Sequence, residues 1–150
     1  MLDLARRASA RVSVRVAVVA LAASALLVAC TPLNSQEQYL FVSTNDLRRA
    51  NGLATISEYE PLTSRARSWA ETLASQGRLA HEDLQQLGVN WTMAAENVGR
   101  GGSIEEIVRL LQASSSHRVN MLEPGYQLTG VGTARAKDGT VYAVQLFIRM

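Results

Sequence analysis

An α+β layered domain is the fold class this sequence predicts, and three observations predict it. Two stretches, one ending at Gly77 and one beginning at Ser103, carry apolar residues at helical spacing. The C-terminal end then switches to alternation with period two on either side of Lys137-Asp138-Gly139. No internal repeat and no second linker divides the chain after its N-terminal segment. Helices first and an antiparallel hairpin last are the order of an α+β chain with one core.

The first 29 residues are an address rather than part of that fold. Arg6, Arg7, Arg11 and Arg15 form a basic region, and Val16 to Ala29 is an uncharged apolar run of 14 residues. A membrane-spanning helix needs about 20, so the run reads as a signal-peptide core. Leu27-Val28-Ala29-Cys30 resembles a bacterial lipobox, in which the thiol is lipidated and the chain is cut just before it. The alternative is ordinary secretion, with cleavage near an Ala-x-Ala-like site and Cys30 there by chance. The lipobox reading rests on the only cysteine of the chain falling at that position. Several acyl chains hold firmly, since each buried CH₂ gains about 0.8 kcal/mol. The expectation is a lipid anchor on the outer face of a bacterial membrane, with residues 30–36 as a polar tether and residues 37–150 as the domain.

Removing the leader changes the electrostatics. Of 15 Lys+Arg and 13 Asp+Glu, four arginines and one acid lie in residues 1–29, which leaves 11 and 12, a net charge of −1. No Lys/Arg cluster with interleaved aromatics remains, so nothing points to a nucleic-acid partner. With Cys30 committed to lipid, the domain has no disulfide and must rely on its core. About 120 residues are enough for one core, burying roughly two-thirds of the unfolded surface.

From Glu37 to Ala50 the chain is helix-compatible, although Ser43, Thr44 and Asn45 interrupt its period, and Asn51-Gly52 is a stop. Leu62, Ala66, Trp69, Ala70, Leu73 and Ala74 form one stripe, opened by Pro61 and closed by Gly77. Ser103-Ile104-Glu105-Glu106 is a capping-box pattern, and Ile104, Ile107, Val108 and Leu111 continue a third stripe. Thr129 to Ala136 and Thr140 to Ile148 are strand-like. In the second, the Tyr142, Val144, Leu146, Ile148 face is more apolar than the Val141, Ala143, Gln145, Phe147 face, and is expected to pack on helices. Leu79 to Gly102 and Ser114 to Tyr126 read as long polar loops, and they carry His81 and His117, the chain's two histidines.

Several ordered motifs resemble a known family. Asn45-x-x-Arg48, Gly52-Leu53, Trp69-Ala70, His81, Glu96-Asn97-Val98, His117-Arg118-x-Asn120-x-Leu122, Gly130-Val131-Gly132 and Tyr142-x-Val-Gln145-x-Phe147 follow one another in sequence. Together they look like the CAP superfamily (cysteine-rich secretory proteins, antigen 5 and pathogenesis-related-1), in its short, disulfide-free bacterial branch. The resemblance implies a three-layer α-β-α sandwich with the antiparallel hairpin at its C-terminus. It also implies a surface cleft that gathers two histidines and two acids and sometimes holds a divalent metal. His81 and Glu96 match the first His and first acid, and His117 matches the His of the bacterial Ser-x-x-His-Arg-x-Asn segment. Ser114 stands where many eukaryotic members carry the second acid, and Leu111 stands where a tryptophan is usual. The full two-His, two-acid set is therefore not present.

The candidate residues allow several chemistries. His81, Glu96 and His117 could supply three ligands to Zn²⁺ and leave a position for water, but no helical His-x-x-x-His or paired-Cys spacing accompanies them. A hydrolase would use His117 as base, Ser114 as nucleophile or water-positioning group and Glu96 as orienter, but no Gly-x-Ser-x-Gly elbow is present. A structural role would have both histidines tie the loops together with Glu96 accepting from each. Asn97 and Asn120 would then satisfy loop backbone, and Arg48 would pair with an acid such as Glu123. Trp69 reads as core, and Trp91 either lines a cleft or covers the core edge. Gly99, Gly101 and Gly102 with Arg100 form a flexible stretch without a phosphate-binding pattern. The leading reading is non-enzymatic, with a lipid or cell-envelope ligand or partner bound in a cleft of His81, Glu96, Asn97, Ser114 and His117. The alternatives are a hydrolase of envelope polymer or peptide, and a structural accessory subunit of a membrane protein complex.

Overall fold

A computed structural model describes residues 31–150; the stretch read as a signal segment, and Cys30, read as the lipidation position, lie outside the described residues. Helix α1 runs Ser35–Ala50, followed by β1 (Ser57–Glu58), α2 (Glu60–Gln76), β2 (Met93–Gly101), α3 (Ile104–Ala113), α4 (Ser115–Leu122), β3 (Leu128–Arg135) and β4 (Val141–Arg149). The strands form one mixed sheet in the order β1-β3-β4-β2. Helix α2 covers one face, and α1, α3 and α4 cover the other. This is the α-β-α sandwich expected.

Helix α1 starts two residues earlier than predicted, inside the stretch read as tether. Asn34 caps it: its side chain accepts from the amides of Gln36 and Glu37, and Glu37 accepts from the Asn34 amide in return. Helix α2 follows its stripe. Leu62, Ala66, Ala70 and Leu73 are fully buried, each leucine contributing about 2 kcal/mol, and Gly77 ends the helix at φ +67°. Trp69 is only half-buried and donates from Nε1 to the Ala80 carbonyl at 3.2 Å.

The approach of α2 to the sheet explains two glycines. A Cβ on Gly130 would lie 2.2 Å from the Leu62 carbonyl carbon, and one on Gly132 would lie 2.2 Å from that of Ala66. Backbone cannot yield as a side-chain end can, so these positions admit no side chain. The hairpin formed by β3 and β4 has the predicted turn, with Gly139 at φ +91°.

One expectation is met and extended, and two are corrected. Both faces of β4 are buried, not one: Tyr142, Val144, Leu146 and Ile148 pack under α2, while Val141, Ala143 and Phe147 pack under α1, α3 and α4. A central strand between two helical layers has no solvent face. Second, the stretch read as the loop Leu79 to Gly102 contains β2, paired with β4 over nine residues from Met93–Arg149 to Gly101–Val141. Third, the stretch read as the loop Ser114 to Tyr126 contains α4, whose single buried residue is Met121. Neither element carries a strong local signal; partners elsewhere in the chain create both.

Arg48 shows how. It is 1% exposed, and it donates to the carbonyls of Ala54 (2.8 Å), Met121 (2.8 Å) and Glu123 (2.9 Å). It thus satisfies the C-terminal carbonyls of α4 through the backbone of Glu123, where sequence reasoning expected the carboxylate. Asn45 exchanges two hydrogen bonds with the backbone of Ile56, at 3.0 and 2.9 Å.

Candidate functional site

β2 is an edge strand, and its side chains alternate between the two faces. Glu96 leaves it towards the α2 layer and Asn97 towards the α3/α4 layer, opposite Gln145 of β4. That alternation divides the predicted constellation into two halves.

On the α2 side, His81 Nδ1–H donates to Glu96 Oε2 at 2.7 Å, and the Glu82 amide donates to the same oxygen at 3.0 Å. The Glu96 side chain is 2% exposed and the His81 side chain 65%, so a buried carboxylate holds a largely exposed imidazole. Burial pushes the Glu96 carboxyl above its ordinary range, against the opposing pull of the Glu82 amide and His81. Its other oxygen, Oε1, is buried without a hydrogen-bond partner among the described residues. Glu82 pairs with Arg65 of α2, and the Trp69–Ala80 bond pins the same segment. The His81 stretch is thereby fastened to α2.

On the other side, Ser114 is the cap residue before α4 and His117 lies in its first turn. Three-residue spacing at a helix start brings them together, with His117 Nδ1 and Ser114 Oγ 2.8 Å apart. Ser116 Oγ lies 3.1 Å from Ser114 Oγ. Burial lowers the His117 pKa below the ordinary imidazole value, and the nearby His81 lowers it further. The backbone here is held by a polar chain in which Asn97 and Asn120 bond backbone as expected and to which Gln145 and Thr44, missed by sequence reasoning, are added. Asn97 Nδ2 donates to the His117 carbonyl (3.0 Å) and to Gln145 Oε1 (3.1 Å), and Asn120 donates to Asn97 Oδ1 (2.9 Å). Gln145 in turn donates to Thr44 Oγ1 at 2.7 Å. Fully satisfied, such a network fixes one arrangement of α4 against the sheet.

Beside His117 lies a groove of about 320 Å³. Val98, Gly99, Ile107 and Leu111 form its floor and Leu79 and Leu110 its walls; its polar groups are Ser114 and His117 on the α3/α4 side and, on the α2 side, Arg100, which donates to the Gly77 carbonyl at 3.1 Å. The two leucine walls are 42% and 45% exposed. A Cβ on Gly99 would meet Ile107 Cγ2 at 2.7 Å, so the glycine keeps the floor low where α3 crosses β2. A depression of about 460 Å³ between the end of α2 and the hairpin turn is larger, but it contains no imidazole. Chemistry, not size, selects the groove. Leu110 lies off the α3 stripe, and that apolar residue out of phase was the one sequence signal for a wall. Trp91 packs at the edge of the α2 core and does not line the groove.

The structure therefore joins His81 to Glu96 and Ser114 to His117, with Asn97 bonded to the backbone of His117. It does not give His117 a carboxylate: Glu96 accepts from His81 and from a backbone amide, on the far side of β2. The role drawn for Glu96 as partner of both rings fails because consecutive strand residues face opposite ways. The same geometry tests the metal expectation. Glu96 Oε2 is already occupied by two donors, and among the described residues no group of three or more His, Cys, Asp or Glu is placed to hold a metal ion. His81, Glu96 and His117 as arranged do not fit a three-ligand zinc centre.

Comparison with known proteins is consistent with the fold. The uncharacterized protein YkwD of Bacillus subtilis (strain 168) is 24% identical over 123 residues, covering 75% of this chain, which spans 47% of that relative's length. An outer surface protein from Borrelia burgdorferi superposes with a TM-score of 0.71 at 16% identity, over 79% of this chain and 96% of that one. An extracellular protein containing a SCP domain from Bacillus anthracis superposes at 0.67 with 21% identity, over 80% and 45%. The structure of NaASP2 with Zn²⁺ superposes at 0.60 with 12% identity, over 77% and 80%. Among the described residues no helix is long and apolar enough to cross a membrane. The family model described as the cysteine-rich secretory protein family, CAP, matches residues 43–147, and the chain belongs to that family.

Proposed function

We propose that this protein is a CAP domain tethered by a lipid on Cys30 to the outer face of a bacterial cell membrane, where it binds an envelope ligand or partner at the β2 edge. The observation that carries the reading is the groove beside His117. Apolar walls with the polar pair Ser114 and His117 at one side suit a molecule with an apolar body and a polar end, such as a lipid or an envelope component. His81 and Glu96 flank the groove from across the strand and are not among the residues lining it. Their part in binding is to brace the segment that carries Leu79. The test is extraction of the intact protein from membranes, with identification of the lipids and proteins that co-purify. His117→Ala and Leu110→Asp are expected to lose that cargo while keeping the fold. If both variants retain the cargo, or the native protein carries none, groove binding is wrong, and a membrane protein recovered with both variants supports the accessory-subunit reading instead. Cys30→Ala should release the protein from the membrane.

A second reading, hydrolysis of envelope polymer or peptide, is favoured by one contact, the 2.8 Å approach of His117 Nδ1 to Ser114 Oγ. A neutral imidazole with a lowered pKa can take a hydroxyl proton. The orienting carboxylate of a triad is not on His117: its ring meets Ser114, and Asn97 holds its backbone. Covalent labelling of Ser114 by a fluorophosphonate, abolished in His117→Ala, would establish this reading; an unlabelled native protein would dismiss it.

A further inference from the structure

The residues that follow Cys30 do not behave as a loose tether. Arg67 of α2 donates from Nη2 to the Pro32 carbonyl at 2.9 Å and from Nη1 to the Thr31 carbonyl at 3.3 Å. The same guanidinium grips Glu37, from Nε to Oε1 at 2.9 Å and from Nη2 to Oε2 at 2.7 Å. Glu37 is fully buried, and it also accepts the Asn34 amide at 2.9 Å. Asn34 reaches Thr133 of β3 at 3.3 Å. A bidentate pair between a buried acid and an arginine is geometrically specific, and here it aims the spare donors of the arginine at the carbonyls of Thr31 and Pro32. The hydrogen bond to Glu37, with Glu58 and Glu60 nearby, strengthens the hold of Arg67 on its charge.

Length decides what this grip does. Seven flexible residues would separate lipid and domain by roughly 15 Å on average and by up to about 24 Å when extended. With Thr31 and Pro32 held, Cys30 is one peptide bond from a gripped residue, a Cα spacing of about 3.8 Å. The grip sits beside Thr133, on a stretch of β3 that β1 does not reach, since β1 pairs only Leu128 and Thr129. The groove is built on β2, two strand spacings away, or about 10 Å.

We propose that Thr31 and Pro32 form a strap docked by Arg67, so that a lipid on Cys30 holds the domain to the bilayer by its β3 edge and leaves the His117 groove turned away from the lipid. The membrane half of this proposal rests on the reading of Cys30 as lipidated; the strap does not. A ligand would then reach the groove from the side away from the anchoring membrane.

The test uses the intact, membrane-extracted protein in phosphatidylcholine–phosphatidylglycerol vesicles containing a headgroup quencher lipid. Fluorophores are placed on single thiols at Ser64→Cys, one turn from Arg67, and at Val119→Cys, on α4 near the groove. The Ser64 probe should be quenched and the Val119 probe nearly spared. Arg67→Lys, which keeps the charge and loses the fork, should abolish that contrast. It should also speed exchange of the Asn34 amide on the order of tenfold, the scale of one lost hydrogen bond to a charged group. Glu37→Gln should do the same while keeping a side chain of that shape in the core. Equal quenching of the two probes in the native protein overturns the orientation. Unchanged Asn34 exchange in both variants overturns the strap. Intact mass spectrometry showing no acyl chains on Cys30 overturns the lipoprotein reading and with it the membrane half, while Asn34 exchange still decides the strap.

Discussion

Helices α2 and α4 lie on opposite faces of one sheet and are held by opposite physics. α2 buries Leu62, Ala66, Ala70 and Leu73 against strands that carry glycine where the backbones meet. α4 buries only Met121. Its carbonyls are taken by Arg48 and its first turn by Asn97. Hydrophobic packing is non-directional and roughly proportional to area, so α2 can form with any well-filled face. Hydrogen bonds to named atoms are directional, so α4 is set in one place. The helix held by directional bonds is the one that presents His117 and Ser114.

The strongest way to break this contrast is to add a side chain under α2. Gly132→Ala would place a methyl 2.2 Å from the Ala66 carbonyl carbon and 2.3 Å from the Arg67 nitrogen. Overpacking against backbone is expected to cost about 3 kcal/mol, seen as a fall in Tm on the order of 10 °C. A melting temperature within a degree of the native protein would show that α2 floats above the sheet. Gly99→Ala should be milder, because its obstacle is the side chain of Ile107.

This division also governs how much was legible in the sequence. The α2 stripe, the α3 stripe with its Ser103 cap and the hairpin are local periodic patterns, and they appear where the period places them. β2 reads Met-Ala-Ala-Glu-Asn-Val-Gly-Arg-Gly, with one β-branched residue and two glycines. It is a strand because β4 offers nine partners. α4 has no stripe to read, since Val119 is 59% exposed and the bonds that hold its backbone come from residues 20 and 73 positions away. The His81–Glu96 contact followed from resemblance alone, and Ser114–His117 followed from spacing. The link from Glu96 to His117 failed because it treated β2 as a loop, in which neighbouring side chains can point together.

A middle-sized effect separates the two layers. Asn97→Ala removes the donor to the His117 carbonyl and to Gln145, and it leaves buried polar atoms unpaired. Each such atom costs about 1–3 kcal/mol, so a loss of about 2 kcal/mol is expected, concentrated in α4. Hydrogen exchange should accelerate across residues 115–122 while the amides of α2 keep their relative protection. Uniform acceleration in both helices would mean that α4 is held by the general core and not by this network.

The smallest effect is a pH dependence, and it tests whether His117 is as enclosed as the geometry makes it. The folded protein holds the His117 pKa below its ordinary value of 6.5, burial first and His81 second. The unfolded chain then takes up a proton near 6.5 before the folded chain does, so stability is full above that pH and declines below it. Glu96 works in the opposite sense. Its raised pKa means that ionisation costs stability as pH rises above the ordinary 4.5, and the cost is relieved on acidification. Between 4.5 and 6.5 the two terms therefore oppose each other. His117→Gln can keep a hydrogen bond to Ser114 without titrating, and its stability should fall less than that of the native protein from pH 7 towards pH 5, when both are measured by denaturant unfolding. Glu96→Gln should fall more steeply than the native protein over the same range. If His117→Gln leaves the slope unchanged, the imidazole is as solvated as a free one, and the α4 side of β2 is more open than its polar network implies.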